Sequence, residues 1–312
     1  MSGTQRRLRL GTRASALALW QANHVRDSLR AHWGEALEVE LVEITTEGDR
    51  ILDRPLNEVG GKGLFVKGIE ELLLRGEIDL AVHSMKDLPG QLPEGLVITC
   101  TPERADPRDV VVGPPGVRLA TLAAGTRVGS SSLRRGALAR RINPGLEIIP
   151  VRGNVATRIG KIAAGVVDVV LLAAAGLDRL GQSELIRERL DVVEFCPAAC
   201  QGILAIEIRE QDQELADLLA PLDHAPTKIV AAAERAFLAR LEGGCQVPMA
   251  AYATLAGDRV ALRGLVVDPG GAPIYDASNE GASDQAAALG RELAETLLGM
   301  GAGEVFERLA RR

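Results

Sequence analysis

Cysteine is too sparse in this 312-residue chain to staple it. Four residues, Cys100, Cys196, Cys200 and Cys245, do not make a disulfide framework, so each thiol is either inert core or reactive. A long apolar run is missing as well. The most apolar stretch, Val166 to Leu177, is too short for a bilayer and contains Asp168, and the opening Met1 to Leu10 lacks the apolar core of a secretory signal. A cytoplasmic protein without a membrane partner is therefore expected. Positive charge is not in excess either: 36 Lys and Arg against 42 Asp and Glu leave a net charge of −6, which gives no overall basic footprint for nucleic acid. Any anion site must be local. Gly60-Gly-Lys-Gly63 lacks the spacing and the Lys-Ser/Thr of a phosphate-cradling P-loop, and no Gly-x-Gly-x-x-Gly follows a strand. None of the four His pairs with a carboxylate or Cys at metal spacing, and Cys196-x-x-x-Cys200 has no second ligand pair, so no metal is expected.

What is present reads as a folded α/β protein. Hydrophobic residues make up 46% and charged residues 25%, and at about 150 residues per domain the length suits two or three domains. Leu8 to Leu10 predicts a strand that turns through Gly11-Thr-Arg-Ala-Ser15 into a helix with apolar positions Ala18, Ala22, Val25, Leu29 and Trp33, and Ser15 as its N-cap. A strand over 39–44 and a helix through Ile69, Leu72 and Leu73 follow. Ile78 to Val82 is then a strand running into His83-Ser-Met-Lys-Asp-Leu-Pro89, so those polar residues sit at a strand's carboxyl end, where open α/β sheets place ligands.

The same order returns with Thr126 to Val128 as strand, Gly129-Ser-Ser-Ser132 as turn and Leu133 to Ile142 as helix. Leu73 to Val82 and Ala163 to Leu171 also share a helix end, a Gly and an Asp leading an apolar strand. Two α/β domains of similar plan are the expectation, with a binding cleft between them. Residues 102–108 and 194–202 read as irregular connections, candidate hinges. A helix over 229–241, a Gly-Gly-Cys turn, strands over 250–255 and 259–267, and a helix from Asp284 predict a smaller α+β domain.

Chemistry concentrates in a few places. The window Arg127 to Lys161 holds eight basic residues against Glu147 alone, a net of +7 that leaves −13 for the rest of the chain. Arg134 and Arg135 follow three serines at a helix start, where free N–H groups favour an anion and guanidinium adds bidentate recognition of carboxylate or phosphate. Arg140 and Arg141 fit a solvated helix face equally well. Asp87, beside Lys86, is the carboxylate best placed for proton handling or for stabilising developing positive charge, although an Asp before Leu-Pro is also an ordinary turn residue. His83 reads as a scaffold residue. Cys245, in Gly243-Gly-Cys-Gln246, can be presented to a partner or prosthetic group.

These stretches resemble the porphobilinogen deaminase (hydroxymethylbilane synthase) family along almost the whole chain. The matching motifs are Gly11-Thr-Arg-Ala-Ser15 with Trp20-Gln-Ala22, Val59-Gly-Gly-Lys-Gly-Leu-Phe65, Ala81 to Pro89, Val128 to Arg135, Arg152-Gly-Asn154, Ala175 to Gly181 and Leu241 to Pro248. Their order is what makes the match specific.

The resemblance implies two α/β domains like those of periplasmic binding proteins, joined by two hinge segments, plus a smaller C-terminal α+β domain with a cysteine loop. The corresponding boundaries are 1–102 with 203–220, then 108–196, then 225–312. It implies a transferase of tetrapyrrole, hence porphyrin and heme, biosynthesis that joins four porphobilinogen molecules head to tail with loss of ammonia. The primer is a dipyrromethane held by Cys245 through a thioether, and hydrolysis releases linear hydroxymethylbilane. By matching motif, Asp87 is the catalytic carboxylate that hydrogen-bonds pyrrole N–H groups. Ser84, Lys86, Ser130, Ser132, Arg134, Arg135 and Arg158 hold the cofactor's side chains. Arg13, Ser15, Gln21, Lys62, Arg152 and Arg179 face substrate or the growing chain. A monomer is expected on family grounds. Two positions depart from the family pattern: Cys200 stands where a Gly usually precedes Gln-Gly, and Glu58 where relatives often carry Lys. A two-lobed small-anion binding module is the rival reading of the repeat and the arginines, but it needs neither the cysteine turn nor a third domain.

Overall fold

A computed structural model describes residues 6–46, 66–241 and 248–311. Cys245, Lys62 and Glu58 lie outside them. The chain divides into two compact units, 1–104 with 203–228 and 105–202 with 229–312.

The first unit is built on β1 (Arg6–Arg13), β2 (Leu37–Ile44), β3 (Leu80–Ser84), β4 (Leu96–Cys100) and β10 (Leu204–Arg209), in the order β2-β1-β3-β10-β4. β1 is parallel to β2 and β3, whereas β10 runs antiparallel to β3 and β4. In the second unit β5 (Asp109–Val112), β6 (Arg127–Gly129), β7 (Glu147–Ile149), β8 (Val169–Ala173) and β9 (Ile186–Arg189) make the sheet β7-β6-β8-β5-β9. Its pairing has the same senses: β6 parallel to β7 and β8, β5 antiparallel to β8 and β9. The loose sequence repeat is thus a repeat of sheet plan. In each sheet the antiparallel inner strand belongs to the stretch that follows a chain crossing, β5 after the first and β10 after the second.

Both faces are covered at the inner strands β3 and β8, which is why these read as nearly continuous apolar runs. Leu80 and Val82 of β3 join Val25 and Leu29 of α1 (Ala16–Trp33) in one cluster, while Ala81 points to the other side with Ile69 and Leu73 of α2 (Lys67–Leu74). In β8, Val169 and Leu171 pack beside Leu138 of α3 (Leu133–Ile142), and Val170 and Leu172 pack beside Leu177. Ser15 caps α1 as expected, accepting from the Ala18 amide at 3.3 Å.

The repeated Gly and Asp have a common purpose. Gly76 and Gly165 close their helices at φ +69° and +64°, values that favour glycine. Three residues later Asp79 accepts from the Arg9 amide at 2.7 Å and from its guanidinium at 2.8 and 3.1 Å. Asp168 does the same for Arg127, at 2.7 Å from the amide and 2.7 and 3.2 Å from the side chain. Each arginine also reaches its turn's glycine carbonyl, Gly76 O at 2.6 Å and Gly165 O at 2.8 Å. One ion pair thus ties β1 to the turn before its parallel neighbour β3, and an equivalent pair ties β6 to the turn before its parallel neighbour β8.

The C-terminal stretch contributes α7 (Ala225–Leu241), the antiparallel sheet β11 (Met249–Ala256), β12 (Arg259–Val267) and β13 (Ile274–Ala282), then α8 (Ala286–Gly299) and α9 (Gly303–Ala310). Ala250, Leu265 and Val267 of this sheet share one apolar cluster with β8 and α3. The strand β13 and the helix α9 go beyond the sequence expectation.

The connections 101–108 and 191–203 are irregular, as expected. They lie backbone on backbone: the Ala105 amide donates to Gly202 O at 3.2 Å, and a Cβ on Gly202 would meet Ala105 O at 2.5 Å. Beside it Cys200 holds φ +62°, a conformation a family-type glycine adopts without strain. Its amide donates to Glu234 Oε2 at 2.5 Å.

Because Asp79 is 17% exposed and Asp168 42%, the two equivalent anchors differ in worth. Asp79→Ala is expected to cost about 2 kcal/mol in urea unfolding, the scale of charge-assisted hydrogen bonds. Asp168→Ala is expected to cost clearly less, and equal losses would contradict this reading.

Candidate active site

β3 ends at Ser84 and the chain tightens into a 3-10 turn over Met85–Asp87, because Met85 and Leu88 are buried on either side and pull the turn onto the sheet. Met85 is held there by its amide, which donates to Ile203 O at 3.0 Å. Lys86 is half-buried and Asp87 is left exposed at the rim. A depression in this unit is lined by Arg13, Ser15, Gln21, His83, Ser84 and Asp87, with Val66, Ile69 and Val82 among its apolar walls. Five residues that the family motif names are therefore brought to one place, from the ends of β1 and β3 and the start of α1. Gln21, buried in the first turns of α1, donates to Ser84 Oγ at 2.8 Å and fixes the wall between them.

Behind this wall lies a group that sequence reasoning passed over. His83 Nε2 is 3.0 Å from Glu207 Oε2 of β10, both side chains buried, which fits the scaffold role expected of His83. Glu70 of α2 is buried beside them, and Glu70 Oε1 and Glu207 Oε1 have no hydrogen-bond partner. Burial, then the charge of Glu207, pushes the Glu70 carboxyl up to about 7. The available sign was its pattern: a Glu on the face of α2 that also carries Ile69 and Leu73.

The arginine-rich window resolves into separate duties. Arg127 belongs to Asp168, and Arg140 donates to Pro269 O at 2.9 Å. Arg134 and Arg135 are buried at the start of α3, where Ser132 caps the helix by accepting from the Arg135 amide at 3.3 Å. Ser130 Oγ accepts from the Ser132 amide at 3.2 Å. Both arginines converge on Asp109 of β5: Arg134 Nη1 to Oδ2 at 2.7 Å and Arg135 Nε to Oδ1 at 2.8 Å. Burial raises the Asp109 pKa, and the two guanidinium groups more than reverse this, holding it below the usual carboxylate range.

Arg152-Gly153-Asn154 leads into α4 (Val155–Ala163), whose N-cap is Asn154, accepting from the Thr157 amide at 2.9 Å. Arg158 Nε donates to Gly153 O at 2.8 Å. Arg152 Nη1 is buried with no hydrogen-bond partner, an unmet donor suited to a carboxylate. Arg179 closes α5 (Ala174–Arg179), donates to Gly202 O at 2.8 Å, and is pushed down to about 10 by burial. Burial also pushes the Cys100 and Cys196 thiols up to about 12, and Cys200 is buried too. These three are poor nucleophiles.

Comparison with known proteins covers nearly the whole chain. A family model described as "Porphobilinogen deaminase, dipyromethane cofactor binding domain" matches residues 8–217, and one described as "Porphobilinogen deaminase, C-terminal domain" matches 228–299. The chain is similar to a porphobilinogen deaminase of Syntrophotalea carbinolica, 51% identical over 97% of this chain and 96% of the relative. A porphobilinogen deaminase of Trichlorobacter lovleyi is 49% identical over 98% of each, and one of Bordetella parapertussis 50% identical over 97% and 96%.

The raised Glu70 carboxyl has a measurable consequence. A carboxyl with a higher pKa in the folded chain than in the unfolded one contributes stability below its ordinary value and loses it as pH rises. Between about 4.5 and about 7, Glu70 is therefore expected to weaken the fold by up to about 3 kcal/mol. Glu70→Gln should flatten the decline in unfolding free energy between pH 5 and pH 8; an unchanged slope would put the burden on another group.

Proposed function

The chain belongs to the porphobilinogen deaminase family, and from that premise we propose how its own residues carry the reaction. The family's activity is that of a hydroxymethylbilane synthase, a transferase of tetrapyrrole biosynthesis with porphobilinogen as substrate and a dipyrromethane cofactor. When bound, the cofactor supplies the free ring position to which porphobilinogen units are joined with loss of ammonia.

The donors present suit such a group, since every pyrrole ring carries an acetate and a propionate. Arg152 has a buried nitrogen in want of an acceptor. The family motif implies that Cys245 forms the thioether, and the burial of Cys100, Cys196 and Cys200 supports this reading. Ser84, Lys86, Ser130, Ser132, Arg134, Arg135 and Arg158 hold the cofactor's side chains in this reading. Arg13, Ser15, Gln21, Lys62, Arg152 and Arg179 receive incoming substrate and the lengthening chain.

Asp87 is the catalytic residue. Positive charge builds on pyrrole nitrogen as ammonia leaves, and a carboxylate held at a turn stabilises it without reorganising. The same oxygens accept the N–H of a ring and help move the proton that leaves the newly joined carbon. The observation that carries this reading is the gathering of Arg13, Ser15, Gln21 and Ser84 around Asp87 in one depression.

Three domains, 1–102 with 203–220, 108–196 and 225–312, belong to the same proposal, as does a cytoplasmic monomer that engages neither nucleic acid nor membrane. The net charge of −6 supports the absence of a nucleic-acid partner. Among the described residues no helix is long and apolar enough to cross a membrane.

Asp87→Asn keeps an oxygen acceptor but removes the charge. It is expected to leave thermal unfolding unchanged and to lower kcat by about 100- to 1000-fold, the scale set by losing one preorganised electrostatic contact. Turnover of Asp87→Asn near the wild-type rate would remove Asp87 from this role.

A further inference from the structure

The wall behind the Asp87 depression holds more acid than it can readily ionise. Glu70 of α2 and Glu207 of β10 are both buried, and Glu70 Oε1 and Glu207 Oε1 meet no hydrogen-bond donor. The other oxygen of Glu207 lies 3.0 Å from His83 Nε2. Two buried carboxyls facing one imidazole cannot both ionise without cost, so the cluster keeps a proton that is removed as pH rises. Glu70 gives it up at about 7, held there by burial first and then by Glu207, with His83 acting in the opposite sense and Glu71 adding slightly. Among the described residues these are the charges that face Glu70. β4, also packed on α2, turns its titratable Cys100 to the opposite sheet face, and Arg209 meets α2 at the carbonyl of Leu73.

For stability alone, an acid is a poor choice here. An apolar residue at position 70 would sit beside Ile69 and Leu73 without the loss that ionised Glu70 brings. What an acid gains at this position is nearness to the site. The turn of α2 that carries Glu70 begins at Val66, whose carbonyl accepts from the Ile69 amide at 2.8 Å and from the Glu70 amide at 3.0 Å. Val66, Ile69 and His83 all line the depression that contains Asp87.

Resting on the reading that this depression hosts the reaction, we propose that Glu70 is a positioning residue whose ionised carboxylate, acting through the His83 and Glu207 pair, lends the depression negative charge and favours the cationic intermediate that Asp87 meets. A charge in a weakly screened interior is felt across the wall, which the same charge in water is not. Stability is thereby exchanged for turnover: losing the Glu70 proton weakens the fold and quickens the reaction.

The test is kcat of the holoenzyme with porphobilinogen between pH 6 and pH 8.5. Wild type is expected to speed up over this range as Glu70 ionises. The ratio of wild-type to Glu70→Gln kcat is expected to grow about three- to tenfold from the acid to the alkaline end, the scale of one unit charge acting through partly screened protein. Glu70→Asp, which keeps the charge, is expected to follow the wild type. A ratio that stays constant makes Glu70 a structural residue and overturns the proposal, as does Glu70→Asp behaving like Glu70→Gln. If Glu70→Gln does not fold, the wild type decides: its rise in kcat must share a midpoint with the Glu70 carboxyl signal in carbon-13 NMR, and a flat profile or a different midpoint overturns the proposal. An enzyme that turns over no porphobilinogen at any pH, or an Asp87→Asn variant with wild-type turnover, is recognisably a failure of the site reading itself.

Discussion

Arginine–carboxylate pairing, half-exposed at two places and buried at a third, is the interaction that holds each of the large sheets of this chain together. Arg9 with Asp79 joins β1 to the turn before β3, and Arg127 with Asp168 joins β6 to the turn before β8. Arg134 and Arg135 with Asp109 join the start of α3 to β5 and, through Gln201, to the crossing segments. Each pair fixes backbone as well as side chain, since the carboxylates of Asp79 and Asp168 also accept a strand amide. Charge pairing sets positions here, while apolar burial on both sheet faces supplies most of the driving force.

Much of the plan is legible in the amino-acid order. The helix over 133–142 begins and ends where capping serine and apolar spacing place it, and Ser15 caps α1. The strand β13 escapes such reading because its residues, Ile-Tyr-Asp-Ala-Ser-Asn-Glu-Gly-Ala, offer no buried apolar face; it is held at the sheet edge by a nine-residue pairing with β12. A window count of charge misleads for a related reason. The +7 between Arg127 and Lys161 sees neither Asp109 nor Asp168, partners that only folding delivers, so one apparent anion surface becomes in part a structural pair and a buried trio.

The site follows the same division. Motif spacing names Arg13, Ser15, Gln21, Ser84 and Asp87, and the fold brings them together because strand ends β1 and β3 are neighbours in a parallel pair. The buried Glu70, Glu207 and His83 were not legible as a group, since they come from α2, β10 and β3 and meet only in three dimensions. Cys200, read as a departure from the family pattern, carries its consequence in the backbone: φ is +62° where glycine would be unstrained.

In the proposed reaction Cys245 tethers the primer through sulfur and Asp87 is the catalytic carboxylate. Peptide-resolved mass spectrometry of protein purified from cells that make porphobilinogen tests the tether most directly. Two linked pyrrole units are expected on the peptide containing Cys245 and none on those containing Cys100, Cys196 or Cys200. An unmodified Cys245 peptide, or the same added mass on one of the buried cysteines, would contradict it.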